Sequence, residues 1–332
     1  MRVRAIHNLP GGKDNVFRHS KLFALILLLL ATSLTGCASK PVAPVTIRVG
    51  VLPILDTLPL YVAEAEGYFK AENVIVELVP VASAAERDQL LQAGQLDATI
   101  SDLVALTLAN QEGVRLVAVR TAMVATPQYP QFRILAAGSS SHQTPQDLRG
   151  VAIGVSQGTV IEYVTTRLLE NAGLATADIT TLAVPKISDR MSLLQSGGLE
   201  AATLPEPLAS LALQQGARVI VDDTSAPQYS TSVYVFDAAF LKANPEAVRA
   251  FLRAIQKAAT TINADKTRWS TLLSEKKLVP APVLESYVLP DYPEARVPGE
   301  EQLNDVVAWL KDKGLLKTTP AYADIIKADW LK

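Results

Sequence analysis

Histidine and cysteine are nearly missing from this chain. Its 332 residues include one cysteine, Cys37, and three histidines, His7, His19 and His142. So few leave no metal-ligand cluster in the sequence and no Cys/His or Ser/His/Asp set for nucleophilic catalysis. Aromatics are scarce too, at 6%. Neither sign of charge dominates: the formal net charge is −2, which gives no electrostatic footprint for a nucleic acid. The apolar run 22–34 has 13 residues, short of the roughly 20 that a permanent membrane-spanning helix needs. What remains is 49% hydrophobic and 19% charged, a globular balance on a chain long enough for two cores.

The N-terminus reads as an address. Arg2, Arg4, Lys13, Arg18 and Lys21 precede the apolar run, the pattern of a secretory signal. Leu34-Thr35-Gly36-Cys37 follows and resembles a bacterial lipobox, whose cysteine is lipidated and becomes the first mature residue. A lone cysteine in an exported protein would otherwise be a loose thiol. Residues 1–36 are therefore expected to leave as signal, taking five basic side chains and Asp14, so that the mature net charge is near −6. Residues 37–45, small and proline-containing, read as a lipidated tether. The expected location is extracytoplasmic, with a lipid anchor to a membrane.

One segment occurs twice. Residues 86–98 read ERDQLLQAGQLDA and residues 189–201 read DRMSLLQSGGLEA. The copies share Arg87/Arg190, Leu90/Leu193, Leu91/Leu194, Gln92/Gln195, Gly94/Gly197, Leu96/Leu199 and Ala98/Ala201. Each describes a short helix, a glycine able to take positive φ and an apolar strand. Upstream of each lies a matching strand and helix, IRVGV (47–51) before 58–69 and VAIGV (151–155) before 160–174. Two α/β units about a hundred residues apart predict two lobes. Lobe one is expected to take residues 46–138, lobe two 139–229, and a return strand with C-terminal helices, 230–332, to complete lobe one. The strand 131–138 is read as leaving lobe one, the strand 231–236 as crossing back, and the chain after Asn244-Pro245 as helical to its end.

The order of these pieces carries a resemblance. The IRVGV strand, PLYVAEAEGYFKAENV, LLQAGQLDATISD, GVSQGTVIEYVTTRLLENAGL, LPEPLASLALQQGARVIVDD and NPEAVRAFLRAI together resemble a substrate-binding protein of an ABC importer. The group includes the nitrate, sulfonate and taurine binders and the NMT1/THI5-like thiamine-precursor binders. The resemblance covers residues 46–332. It implies an α/β, two-lobed periplasmic-binding-protein fold of the second type, with lobes joined by two crossing strands and closing on a ligand.

Ligands of open α/β sheets collect beyond the carboxyl ends of strands. That rule selects Asp56, Thr57, Ser101, Asp102 and Thr121 from lobe one, and Ser156, Gln157, Gly158, Thr159 and Glu206 from lobe two. The loop 156–159 opens a helix whose free N–H groups favour an anion, although Thr159 could simply cap that helix and Glu162 could satisfy its dipole. Asp102 and Glu206 end the two repeat strands and pull the other way, toward an amine or aminopyrimidine. Tyr61 and Tyr234 could each offer a ring to a planar ligand or belong to the core. Arg120 could grip a carboxylate or point outward.

The function expected is capture of a small solute in the interlobe cleft and delivery to an ABC permease and its ATPase, by a monomer that needs no cofactor. A nitrogen-rich precursor or amine is favoured as ligand, with an oxyanion (sulfonate, nitrate, bicarbonate) as alternative. A biosynthetic enzyme on the same fold is the second reading; the missing catalytic set and the export signal argue against it. A ligand-sensing surface lipoprotein without transport is the third.

Overall fold

The computed structural model describes Met1 and residues 43–331. The expected signal, Cys37 and most of the tether lie outside the described residues.

Two five-stranded sheets share one plan. The first has the order β2 (Val74–Pro80), β1 (Val45–Val51), β3 (Ala98–Asp102), β10 (Ser232–Asp237), β4 (Leu116–Met123). The second runs β7 (Thr180–Ala183), β6 (Ala152–Val155), β8 (Ala201–Pro205), β5 (Phe132–Ala136), β9 (Arg218–Asp222). In each, three strands pair parallel and the fourth lies antiparallel between its neighbours. The principal helices are α1 (Leu58–Ala65), α2 (Ala84–Gln92), α3 (Leu103–Ala109), α4 (Val160–Asn171), α5 (Ile187–Ser196), α6 (Leu208–Gln214), α7 (Pro245–Ala264) and α8 (Glu300–Asp312).

The repeat is visible atom by atom. α2 and α5 end beside Gly94 and Gly197, at φ 68° and 77°, the left-handed region where a side chain is disfavoured. Leu96 and Leu199, two residues on, pack over Gly50 and Gly154. A Cβ on Gly50 would sit 2.6 Å from Leu96 Cδ1, and one on Gly154 2.5 Å from Leu199 Cδ1. The shared glycine of IRVGV and VAIGV is thus the hole that the shared leucine fills.

Three readings need correction. β5 pairs with β8 and β9, so the strand at 131–138 already belongs to the second sheet and the chain crosses before it, at 124–131. The return crossing lies at 223–231, ahead of β10. Each sheet therefore takes as its antiparallel fourth strand the first strand formed after a crossing, β5 in the second sheet and β10 in the first. The C-terminal region is not helical throughout: 285–299 carries no helix or strand, and Pro290, Pro293 and Pro298 explain the break.

α7 covers the first sheet with the apolar stripe Val248, Phe251, Leu252, Ile255, Ala259, Ile262, all buried. Phe251 meets Phe69, Tyr234 and Phe236 at ring distances of 5.5, 6.0 and 5.4 Å. Burying each such ring contributes about 1.5–3 kcal/mol, so the few aromatics are concentrated where the first lobe needs them.

Candidate functional site

The carboxyl ends of β1, β3, β6 and β8 and both crossing segments converge on a cavity of about 80 Å³. Leu52, Ile54, Met123, Phe132, Ile161 and Ile187 supply much of an apolar wall. Polar atoms enter it at few points, the usual pattern of a small-molecule site.

Six expected residues line it: Asp56, Ser101, Asp102, Ser156, Thr159 and Glu206. Asp56 accepts a hydrogen bond of 2.5 Å from Ser232 Oγ; burial pushes its pKa up, with Ser232 opposing. Asp102 ends β3 and caps α3, accepting from the Ala105 N–H at 2.9 Å. Burial raises its pKa as well, against the nearby guanidinium of Arg87. Ser101 Oγ is buried without a hydrogen-bond partner. Glu206 lies 2.7 Å from Arg133 Nε and accepts from Ser210 Oγ at 2.6 Å and Tyr287 OH at 3.4 Å. Asp102 and Glu206 thus both reach the cavity from opposite lobes, but each already has an arginine.

The remaining expected residues are elsewhere. Thr57 Oγ1 donates to the Ile54 and Leu52 carbonyls at 2.7 and 3.3 Å. Tyr61 lies in an outer groove beside β2, with Lys276 Nζ 5.0 Å from its ring centre. Gln157 is exposed and donates to Thr181. Gly158 lines a neighbouring pocket. Tyr234 is 2% exposed and packs on Phe251. Arg120 donates to Gln256 Oε1 and the Pro293 carbonyl at 2.7 and 2.9 Å, and the Thr121 N–H to the Arg296 carbonyl at 2.7 Å; all three are core or scaffold. The α4 N-terminus is largely satisfied from within: Thr159 Oγ1 accepts the Ile161 N–H at 3.2 Å and Glu162 Oε2 the Gly158 N–H at 2.8 Å.

Sequence reasoning missed Arg87 and the crossing segments. Arg87 is 4% exposed and lines the cavity. It donates through Nε to Asp88 at 2.8 Å and through Nη1 to the Ile100 carbonyl at 3.2 Å. Its Nη2 stands 3.6 Å from Asp102 Oδ2 and has no hydrogen-bond partner. Burial works against its charge, and Asp88 and Asp102 more than offset that. Arg87 was visible as a repeat residue; only its position under β3 makes it a site residue. Tyr129, Gln131, Ser230 and Thr231 come from the crossings and Ser232 from the first position of β10, and the polar run 230–232 at the start of an apolar strand was the available signal.

Comparison with known proteins agrees with this architecture. The chain is similar to the alkanesulfonate-binding protein SsuA from Xanthomonas axonopodis pv. citri (TM-score 0.73, 18% identity, 86% of this chain and 99% of that one). It is also similar to the periplasmic nitrate-binding protein NrtA from Synechocystis PCC 6803 (TM-score 0.66, 15% identity, 86% and 87%). The fold is the two-lobed periplasmic-binding-protein fold. In sequence, a putative aliphatic sulfonates-binding protein of Escherichia coli is 28% identical over 202 residues, 60% of this chain and 61% of that protein's length. The 4-amino-5-hydroxymethyl-2-methylpyrimidine phosphate synthase THI5 of Saccharomyces cerevisiae is 24% identical over 233 residues, 66% and 67%. The family model described as NMT1/THI5 like matches residues 55–267, and the chain belongs to that family.

Proposed function

We propose that this chain is an extracytoplasmic solute-binding lipoprotein that closes on a small molecule between its lobes and hands it to an ABC import permease. The observation that carries this reading is the cavity itself, walled by strand ends from both sheets and by both crossings. Affinity would come from lobe closure that desolvates the ligand. The relatives named as sulfonate and nitrate binders support the same role. Nothing in the reading calls for a chemical step: His142, the histidine within the described residues, pairs with Glu200 away from the cavity.

The favoured ligand shifts from an amine to a small organic anion. Asp102 and Glu206 have arginine partners, so neither is free to pair with a ligand cation. Arg87 Nη2, Ser101 Oγ, Ser230 Oγ and Glu206 Oε1 are buried cavity-wall atoms without hydrogen bonds. Glu206 Oε1 has Arg133 Nε at 2.7 Å, whereas Arg87 Nη2 has Asp102 only at 3.6 Å, so the donor left least satisfied is one that an anionic oxygen would relieve. A compact apolar body would fill the rest.

A thermal-shift panel on protein refolded from denaturant tests this. Alkanesulfonates, nitrate, bicarbonate and short carboxylates are set against aminopyrimidines and amines. A ligand at about 100 times its Kd adds roughly 2.7 kcal/mol of stability. The expected result is a shift with an anion that Arg87→Met abolishes and Glu206→Gln keeps. A shift confined to amines or aminopyrimidines, lost in Glu206→Gln, overturns the anion assignment.

A further inference from the structure

The two lobes touch along a second line, away from the crossings. α3, from the first lobe, and α4, from the second, both begin at the cavity: Asp102 caps one and Thr159 the other. Their flanks join α8 in one apolar core. Val104 and Leu106 of α3, Tyr163 and Val164 of α4, and Val306 and Leu310 of α8 belong to it, all nearly fully buried. Trp309 meets the Tyr163 ring edge-on at 5.5 Å.

Polar contacts fasten α8 to α4. Asp305 Oδ2 accepts from Tyr163 OH at 2.6 Å and from Arg167 Nε at 2.9 Å, and the Asp305 carbonyl accepts from Arg167 Nη2 at 3.3 Å. Just beyond α8, Lys313 Nζ lies 2.9 Å from Glu162 Oε1. Glu162 is the residue that also holds the Gly158 N–H and the Thr181 hydroxyl. A path therefore runs from Lys313 through Glu162 to the loop that presents Ser156 and Thr159 to the cavity.

We infer that α8 is an interlobe strap, and that Asp305 and Lys313 are positioning residues that set how far the cleft opens. Separating α3 from α4 about the crossings would expose the shared core unless α8 lets go of one of them. α8 packs on α3 and reaches α4 mainly through side chains, so the α4 contacts are the ones that yield. Wide opening then requires breaking the Asp305 and Lys313 contacts, and the strap holds the lobes near the closed arrangement before any solute arrives. The consequence for solute release rests on the solute-binding reading; the strap itself does not, and its test uses no ligand.

The test is the distance distribution between spin labels at exposed Gln95 and Lys186, one on each lobe, in the full chain carrying Cys37→Ser. Without ligand, the otherwise unchanged protein is expected to give one narrow, short distribution. Asp305→Asn with Lys313→Met should raise the separated fraction about threefold, a modest factor because partly exposed ion pairs are individually weak. Lys313→Arg with Asp305 unchanged keeps the charge beside Glu162 and should keep the short distance. A mere loss of packing would lower the melting temperature without moving the distances. Identical distributions in the unchanged and doubly substituted protein, or a separated majority in the unchanged one, would overturn the strap. Neither result depends on whether any panel compound binds, so the two proposals fail separately.

Discussion

Arg87 shows how one residue can serve both scaffold and site. Its stem belongs to the repeated helix and its guanidinium is wedged beneath β3 among Asp88, the Ile100 carbonyl and Asp102. Lysine keeps the charge but not the planar fork. Arg87→Lys is therefore expected to retain the fold by circular dichroism yet weaken anion binding about tenfold in calorimetry; unchanged affinity would remove Arg87 from the site. A second residue-scale prediction concerns pH. Asp223 accepts the Gln131 and Phe132 N–H groups at 3.0 Å each, which favours its charge, but burial dominates and pushes its pKa up to about 7. The native state then holds a proton that the unfolded chain has lost, so this contribution is greatest below the unfolded value near about pH 4 and is lost as pH rises to about 7. Melting temperature should fall between about pH 4 and about pH 7, and Asp223→Asn should flatten that slope. Asp56 and Asp102 shift in the same direction and act in both proteins, so equal slopes would exclude Asp223 alone.

At the scale of elements, the parts legible in the sequence were those with a period or a repeat. α2 and α5, their terminal glycines and the strands after them follow from local pattern, and so does the stripe of α7. Phe251 sits at the centre of that stripe and touches three other rings. Phe251→Ala is expected to destabilise the protein by about 3–5 kcal/mol in urea unfolding, and a loss under about 1 kcal/mol would contradict the packing described. What was not legible was partnership between elements. Nothing local to 132–136 says that β5 pairs with β8 rather than with its predecessor β4. Nor does 230–232 announce that its hydroxyls meet Asp56 and the cavity. Tyr61, Tyr234 and Arg120 were candidates because their residue types suit ligands; the fold puts Tyr61 in an outer groove and Tyr234 and Arg120 in the core, which are tertiary facts. Asp102 and Glu206 lie at the cavity wall, where strand ends put them, but their arginine contacts were not legible.

For the whole molecule, two lobes of one topology, the first completed by the returning strand β10, enclose a cavity, and a third contact, α8, joins them outside the crossings. The lipid anchor proposed at Cys37 is tested separately. Labelling cells with a radioactive fatty acid should mark the protein, and Cys37→Ala should abolish the label and release the chain from membranes; unlabelled protein would contradict the lipobox reading. The central claim, that the interlobe cavity is where a small solute binds, is met most directly by isothermal titration of the refolded protein with the anion and amine panel, repeated on Ile187→Trp. Ile187 is a half-buried residue of the cavity wall, so the larger ring obstructs the space without removing a polar group. The account predicts one site per chain for a compound of the panel, and loss of that binding in Ile187→Trp with the fold intact. Binding of equal strength in both proteins would place the solute somewhere other than this cavity.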